Sequence, residues 1–450
     1  MTSAGQHLLD LCDEVLARAR EAGATAAEAY AEYVKQTSAS VEQNELKGAS
    51  SAEHEAIGLR VLVGDRLGFS YVNRFDDEAL DQAIEDAVAI AKASPGDPAN
   101  GLVDPLPGKV VKGLWDDALA VLPPGDVVKR TAELFEAARK VDRRVSVDNA
   151  SFSSTLAHSA VVSTAGVRAA ASETAASWAL FGMAVDGDEV GSFDAYSAGA
   201  RTIKDARTAA GAKRFGETVV SLLDPRAGKS YQGKVLFSAD AFCEIFLDTL
   251  FEAIDGDVVL KGKSRLKDKL GQRVAAPGFL VVDDGAKHGG LASGAFDREG
   301  LPHRRTVVLG DGVLHAFLYD GKAARRAKTR PTGHALGSAR NLPSIGTTNV
   351  EVGAGAASDE ELLRELGDGL WVGRFSGNVD GVSGDFSGVA KGSFLVEKGK
   401  RTAPVKETLI AGNVFDGLRH VLACGKQRHQ VMATACPWVL VDGVDVTAGT

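Results

Sequence analysis

Cysteine and aromatic residues are scarce in this sequence. Four cysteines occur in 450 residues, and no two of them have the spacing CxxC: Cys12, Cys243, Cys424 and Cys436. A disulfide framework is therefore not expected, and the pattern indicates reduced thiols in a cytoplasmic protein. Because Phe, Trp and Tyr make up only 6 % of the chain, we expect a core of Val, Leu, Ile and Ala.

Long apolar runs and an excess of basic charge are also missing. Nothing approaches the roughly 18 uninterrupted apolar residues of a membrane span, so we expect neither a membrane anchor nor an export signal. The formal net charge of −9 argues against direct contact with nucleic acid. We interpret the densest basic cluster as a solvated helix end rather than an anion site; it consists of Arg325, Arg326, Lys328 and Arg330.

Glycine, in contrast, is abundant, with 51 residues, which predicts many tight turns between strands. In the first half of the chain, an order of helix, strands and helix occurs twice and indicates a duplicated unit. The predicted helices are the one that follows Ser3, Asp77–Ala91, Asp126–Val141 and Arg201–Ala212, with strands of residues 27–73 and Val145–Tyr196 between them. A Pro/Gly-rich stretch at about residues 94–108 separates the two copies as a linker.

From Lys234 the pattern changes to short strands around one long helix, ADAFCEIFLDTLFEAI, which Ser238 can cap. Asp311-Gly312 has the composition of a type I′ hairpin turn, and a further helix is predicted over Asp359–Leu370. These patterns predict an α+β protein. Its N-terminal α/β domain covers residues 1–225, and its C-terminal domain, residues 226–450, is mostly antiparallel β with a barrel-like or sandwich-like form.

Familiar catalytic motifs are missing or misleading. His54-Glu55 begins like a zinc-peptidase helix, but Leu59 takes the place of a second histidine and the segment has the pattern of a strand, which points His54 and Glu55 to opposite faces. No GxSxG motif is present, and no spacing of Ser, Cys and His indicates a triad. An improvised metal site among scattered histidines remains an open alternative.

Several segments, in order along most of the chain, resemble the TldD/PmbA family of peptidase proteins. They are GLRVLVGDRLGFSYVN, GKSRLKDKLGQRVAAPGFLVVDDG, GGLASGAFDREGLPHRRTVVLGDGVL, ARRAKTRPTGHA, GVSGDFSGVAKGSFLVEKGK and ETLIAGNVFDGLRHVL. No single segment is diagnostic. Their common order makes coincidence improbable.

The resemblance divides between two branches of the family. The TldD branch carries His-Glu-x-x-x-His on the helix before the Gly-Lys-Ser segment, where the histidines bind zinc together with a cysteine near the C-terminus. Counting back from Gly271, this chain has Leu247 and Glu252 in place of the two histidines. The resemblance thus implies a member of the TldE/PmbA-like branch, with no catalytic residue and no metal ligand of its own.

Two cysteines compete as the counterpart of that third ligand. Cys424 superficially resembles the cysteine motif of the catalytic branch, whereas the position of Cys436 relative to the C-terminus matches the cysteine of the non-catalytic branch better. Either thiol is interpreted as a small buried apolar residue.

Function follows from the resemblance as an expectation. We expect a non-catalytic subunit of a zinc metallopeptidase complex that degrades unfolded peptides, with the zinc in a TldD-like partner. The alternatives are a homodimeric peptide-binding scaffold and a metallopeptidase with an atypical metal site. The segment expected to border the peptide-binding cleft is Gly384, Asp385, Phe386 and Ser387, although a β-turn with an ordinary Asp cap explains it equally well.

Overall fold

A computed structural model describes residues 3–42 and 45–449. Helix takes 25 % of the chain and strand 41 %, which confirms the predicted α+β class. Two large sheets contain nearly all the strands: seven belong to the first sheet and fourteen to the second. Among the described residues, no helix combines the length and the apolar character that crossing a membrane requires.

The first sheet is an antiparallel meander of long strands. Its strands are β1 Ala26–Glu42, β2 Glu45–Val63, β3 Arg66–Val72, β4 Val145–Ser163, β5 Arg168–Asp186, β6 Glu189–Val190 and β7 Asp194–Ala200. They follow the order β3-β2-β1-β4-β5, with β6 and β7 both paired to β5. The predicted hairpin of β1 and β2 is present, and its turn at residues 43–44 lies outside the described residues.

Five helices accompany this sheet: α1 Ser3–Glu21, α2 Asp77–Ala93, α3 Asp117–Ala120, α4 Pro124–Arg139 and α5 Thr208–Ser221. α1 and α2 form one apolar cluster with the sheet, and α4 and α5 form another near its opposite end. Both clusters use odd-numbered residues of β1, from Ala27 to Val41, so all four helices cover the same face of that strand. The order of helix, strands and helix occurs twice, as predicted.

One predicted helix begins in the wrong place. The pattern predicted Arg201–Ala212, but residues 203–205 form a 3₁₀ turn and α5 begins only at Thr208. The physical reason is Arg201. Its buried guanidinium pairs with Glu173 at 3.0 Å and donates to the carbonyl oxygens of Gly290 and Ser293, which holds this part of the chain out of a helix.

The second sheet has fourteen strands, and a separate two-stranded sheet brings the described strands of this half to sixteen. They are β8 Arg226–Ala227, β9 Tyr231–Phe237, β10 Val281–Asp284, β11 Arg305–Gly310, β12 Val313–Leu314, β13 Ala335–Leu336, β14 Ser344–Ile345, β15 Val350–Val352, β16 Gly369–Val372, β17 Arg374–Val379, β18 Asp385–Lys391, β19 Phe394–Glu397, β20 Lys400–Lys406, β21 Leu409–Asn413, β22 Val421–Val431 and β23 Thr434–Thr447. Most pairs are antiparallel, as predicted, and β8–β20, β9–β16 and β15–β23 are parallel.

The helices of this half are short apart from one continuous helical segment. They are α6 Ala239–Phe242, α7 Asp248–Ala253, α8 Gly256–Leu260, α9 Gly321–Arg326, α10 Asp359–Leu366 and α11 Val414–Arg419. A π-helical turn, Cys243–Leu247, joins α6 to α7, and we call residues 239–253 the central helix. Asp311 and Gly312 both have positive φ, which confirms the predicted I′-type turn. α10 is shorter than predicted, because Gly367 ends it with a φ of 73° and Leu370 belongs to β16.

A buried chain of charges connects the first sheet to the second half of the molecule. Glu28 on β1 accepts hydrogen bonds from Arg60 on β2 at 2.6 Å and from Arg298 at 3.1 Å. Arg60 also donates to Glu299 at 2.9 Å, and Glu299 accepts the backbone N–H of Gly321 at the start of α9. The four charged residues are each at most 6 % exposed. The face of β1 opposite the helices is therefore joined to the second half by two acids and two arginines.

The basic cluster is a solvated helix end only in part: Lys328 and Arg330 are exposed, whereas Arg325 and Arg326 have partners. Arg325 on α9 donates to the backbone carbonyl oxygens of Ala99 and Leu102, and Arg326 pairs with Asp97 at 2.6 Å. These contacts fix the Pro/Gly-rich stretch after α2 to the surface of the second half. Charge runs at helix ends are often left in solvent, and sequence alone gave no sign of these backbone partners.

Replacement of Glu28 by alanine tests the importance of the buried charges. Glu28→Ala leaves Arg298 without its carboxylate and Arg60 with only one, and breaking a buried pair by removing one partner typically costs about 3–5 kcal/mol. We expect a large drop in the midpoint of urea unfolding. Glu85→Ala, which removes an exposed acid on α2, is the matched control and should change little. Equal midpoints for the two variants would contradict this role of Glu28.

Candidate functional site

The central helix contains an unusual turn in its middle. It begins at Ser238, whose hydroxyl oxygen accepts the N–H of Ala241 at 3.1 Å. At the π-helical turn, the N–H of Asp248 donates to the carbonyl oxygen of Cys243, five residues earlier. Single π-helical turns inside α-helices occur frequently at functional sites. This turn therefore directs attention to the helix face that contains residues 243–248.

One side of the central helix is a core and the other is acidic. Phe242, Phe246 and Leu250 are completely buried, and the two phenylalanine rings stack with centroids 4.7 Å apart. On the opposite side, three acids four residues apart stand exposed: Glu244, Asp248 and Glu252. Partial loss of solvent raises the pKa of both Glu244 and Asp248. These three carboxylates form a row beside residues 374–379, and we call the boundary between the row and that segment the groove.

The free edge of strand β17 lies along this groove. In the described part of the chain, β17 pairs with β18 and with no other strand. The N–H of Phe375 points away from β18 and donates to Glu244 at 2.9 Å. Residues two apart in a strand direct their backbone groups to the same edge, so Gly377 and Val379 also present N–H and C=O groups there. No partner for those groups is found among the described residues.

A pair of glycines shapes the same strand. Gly377 and Gly388 are directly opposite on β17 and β18. A Cβ atom on Gly388 would lie 2.5 Å from the Cα of Gly377, and the ring of Phe375 lies within 2.8 Å of that position. The ring contacts Phe386 edge-on, with centroids 6.1 Å apart. Because neither glycine has a side chain, the ring of Phe375 can pack over the sheet at this position.

The predicted peptide-binding segment has a structural role at the start of β18. Gly384 has a φ of 79° and its backbone closes the preceding turn. Both carboxylate oxygens of Asp385 are used, since they accept from Ser383 at 2.9 Å and from Asn413 at 2.8 Å. Phe386 is buried and Ser387 is exposed. Ser387 is therefore the one member whose side chain faces solvent without being fixed in the turn or the core, and a role in peptide binding stays a prediction.

The structure adds a second candidate pair of helix residues for the counterparts of the TldD branch's zinc-binding histidines. Leu247 is 2 % exposed and belongs to the core, so it does not face the groove. Cys436, one of the two cysteine candidates, lies beside Cys243 and within interaction range of Cys424. The helix position beside Cys436 is Cys243. Cys243-Glu244-x-x-x-Asp248 has the sequence spacing of His-Glu-x-x-x-His, so Cys243 and Asp248 are a second candidate pair alongside Leu247 and Glu252.

This donor set does not fit a zinc ion. Among the described residues, no three His, Cys, Asp or Glu side chains come together in a way that could hold a metal. Burial raises the pKa of Cys436 well above its ordinary value and that of Cys424 to about 12. Burial therefore favours the protonated, neutral thiol at both positions. All four cysteines are free thiols.

Sequence reasoning missed the free edge of β17 and the acidic row. The row has a signal in the sequence, because Glu244, Asp248 and Glu252 recur every four residues on a helix that is otherwise apolar. Strand pairing between distant segments has no such signal, so the edge was visible only in the structure. His54 and Glu55, in contrast, lie on β2 as predicted.

Substitution of Gly388 tests the packing of the edge strand. Gly388→Ala places a methyl group against the backbone of Gly377, and overpacking of this kind typically costs about 1–3 kcal/mol. We expect a lower thermal midpoint and faster proteolysis within residues 374–379. Gly48→Ala on β2 is the control, because a Cβ atom there has no neighbour within 4 Å. Similar proteolysis of the two variants would mean that the glycine pair does not position β17.

Comparison with known proteins identifies the family. Residues 230–448 match the model of the PmbA/TldA metallopeptidase C-terminal domain, and residues 27–91 match that of PmbA/TldA metallopeptidase domain 1. Metalloprotease PmbA of Escherichia coli O157:H7 is 27 % identical over 90 % of this chain and 88 % of its own, and a metalloprotease TldD homolog of Haemophilus influenzae is 26 % identical over 85 % and 81 %. The crystal structure of TldE from Thermococcus kodakarensis, 22 % identical, superposes with a TM-score of 0.89 over 97 % of this chain and all of the other. The chain belongs to the PmbA/TldD family of metallopeptidase-like proteins.

Proposed function

We propose that this chain is a non-catalytic subunit of a peptidase complex, in which a TldD-like homologue carries the zinc and this chain helps to hold an unfolded peptide. The observation that carries the proposal is the combination of an open strand edge with a helix that lacks a metal-ligand set. β17 offers the backbone groups of Gly377 and Val379, and the helix beside it has Cys243 and Asp248 at the spacing of the two histidines.

The edge of β17 suits an extended peptide of varied sequence. A peptide that adds to a sheet edge is held through main-chain hydrogen bonds, which do not depend on its side chains. An unfolded segment can supply those groups, whereas a folded protein has already paired them. The acidic row beside the edge adds a preference for peptides with basic side chains facing the helix.

Amide hydrolysis at neutral pH requires an activated nucleophile and stabilisation of the developing oxyanion. The exposed side of the central helix presents Glu244, whose carboxylate already accepts the N–H of Phe375, while the Cys436 thiol is buried in the core. These groups do not form the three-ligand set of a catalytic zinc site. The resemblance to both branches of the family therefore supports a division of labour between two different chains.

Metal content tests the division directly. We expect the purified chain to contain no stoichiometric zinc after extensive dialysis, because Cys243, Asp248 and Cys436 do not form a ligand set. Elemental analysis by mass spectrometry decides this, with a zinc-bearing family member purified in parallel as the control. One tightly held zinc per chain would favour the alternative of a metallopeptidase with an atypical site.

Activity in a mixture tests the proposed function itself. The chain alone should not hydrolyse an unstructured peptide, whereas mixing it with its zinc-bearing homologue should produce cleavage that a chelator abolishes. Gly377→Pro removes an N–H from the free edge and adds a ring there, so it should raise the KM of the mixture at least about tenfold by removing one main-chain contact and blocking its neighbour.

The matched control for this experiment is Gly48→Pro, which changes a strand glycine far from β17. It should leave cleavage by the mixture unchanged. Chelator-sensitive proteolysis by this chain alone would contradict the proposal, as would full activity of the homologue without it.

A further inference from the structure

A polar pocket lies at one end of the β17 edge. It has a volume of about 450 Å³ and is enclosed by both halves of the molecule. The first half contributes residues of β7 and α5, and the second contributes Arg374 at the start of β17, Arg401 on β20 and Trp438 on β23. This volume falls within the range of about 300–1,000 Å³ that is typical of small-molecule sites. It is large enough for the end of a peptide.

Most charged groups of the pocket already have partners. Arg374 pairs with Asp194 at 2.9 Å, and Arg214 lies 3.5 Å from Asp240. His429 on β22 contacts Asp359 at 3.1 Å. Since each acid here is next to a cation, the acids do not leave a net negative charge that would exclude an anion.

Arg401 is the exception. Among the described residues, no acid lies within ion-pair distance of its guanidinium group and no hydrogen bond to it is found. The guanidinium carbon lies 4.8 Å from the ring centre of Trp371, 5.4 Å from that of Phe394 and 5.6 Å from that of Trp438. Loss of solvent lowers the pKa of Arg401. The rings orient the planar group but cannot satisfy its five N–H donors.

A carboxylate is the complement of such a group. The guanidinium can donate two parallel hydrogen bonds to the two oxygens of a carboxylate, and a charge-assisted pair of this type is stronger than a neutral hydrogen bond. Aromatic rings on one side hold the guanidinium in place, so binding costs little additional conformational entropy of the Arg401 side chain. Asp359 acts on Arg401 through its charge but lies beyond ion-pair distance, and Arg401 is exposed. Its N–H donors are therefore open to an anion from outside the chain.

The direction of the strand edge indicates which end of a peptide reaches the pocket. Gly373 and Arg374, at the N-terminal end of β17, line the pocket. A peptide that adds antiparallel to β17, as β18 does on the other side, runs in the opposite direction. Its C-terminal end then lies beside Arg374 and enters the pocket.

We propose that this pocket is a carboxylate-binding subsite, in which Arg401 binds the C-terminal carboxylate of a peptide that lies antiparallel along β17. The inference rests on the proposed function, because it requires the peptide to bind at that edge. It adds a specificity: the complex selects the free C-terminal ends of peptides and holds them in one direction. An acidic side chain near the end of a peptide offers the same chemistry as a second source of the carboxylate.

The test compares peptides that differ only in their C-terminal group. Binding of a fluorescently labelled, unstructured peptide to the full chain is measured by anisotropy with three forms: a free C-terminal acid, a C-terminal amide, and an amide whose last residue is glutamate. We expect amidation to raise the Kd of the wild-type chain about 10- to 100-fold, the usual effect of a hydrogen bond between charged groups. Recovery of affinity by the glutamate form would assign the site to carboxylates of either source, and no recovery would assign it to the chain end.

Variants then attribute the effect to one residue. Arg401→Met should raise the Kd of the free acid to that of the amide and leave the Kd of the amide unchanged. Arg401→Lys keeps the positive charge but lacks the paired N–H donors of the guanidinium. Its Kd for the free acid should therefore lie between those of the wild type and Arg401→Met. Arg20→Met, which replaces an exposed arginine on α1, should bind like the wild type.

The outcomes separate the two proposals. Equal binding of the acid and the amide by the wild-type chain, which requires no variant to fold, would overturn the subsite and leave the peptide-binding role intact. An equal loss for acid and amide in Arg401→Met would also overturn it, since that result indicates a structural role. A wild-type chain that binds none of the three peptides would refute the proposed function together with the subsite.

Discussion

The position of the first sheet relative to the second half depends on the buried bridge from Glu28 to Arg60, Arg298 and Glu299. A charge removed from water is stable only when its partners are complete, so the loop that carries Arg298 and Glu299 has one favourable position against β1. The pocket near Arg401 has walls from both halves. Its shape therefore depends on charges that lie outside the pocket itself.

The central helix combines a buried apolar side with an exposed acidic side. Its buried side is an aromatic core, and its π-helical turn lies between Cys243 and Asp248, which have the sequence spacing of the two TldD histidines. In this chain those positions hold a thiol and a carboxylate, and the nearby thiols of Cys424 and Cys436 are kept neutral by burial. The helix has the sequence spacing of that motif without its histidines, which is consistent with a subunit that holds substrate for a partner.

Much of the fold could be predicted from local patterns. The repeated helix-strands-helix order, the cap at Ser238 and the turn at Asp311-Gly312 depend on neighbouring residues, and all are present. The errors occur where distant residues decide the local structure. Arg201 is held by Gly290 and Ser293 instead of starting a helix, and Arg325 binds backbone oxygens of a segment more than 200 residues earlier.

The site was predicted less well for the same reason. The order of motifs identified the family, but a count from Gly271 contains no information on which helix face meets Cys436, so it could not point to Cys243 and Asp248. Gly384 to Ser387 were predicted to border the peptide-binding cleft or to form a β-turn with an Asp cap; Asp385 does hold a turn and Phe386 is buried, and the binding role stays a prediction. The open edge of β17 and the unpaired Arg401 are defined by the absence of a partner from any distant segment, and no local pattern reveals such an absence.

Native mass spectrometry of this chain, tagged at its own locus and purified from its source organism, tests the central claim most directly. Our account predicts an assembly that contains equal numbers of this chain and a homologue with His-Glu-x-x-x-His, with zinc only in the homologue. An assembly made of this chain alone, with or without zinc, would contradict the account.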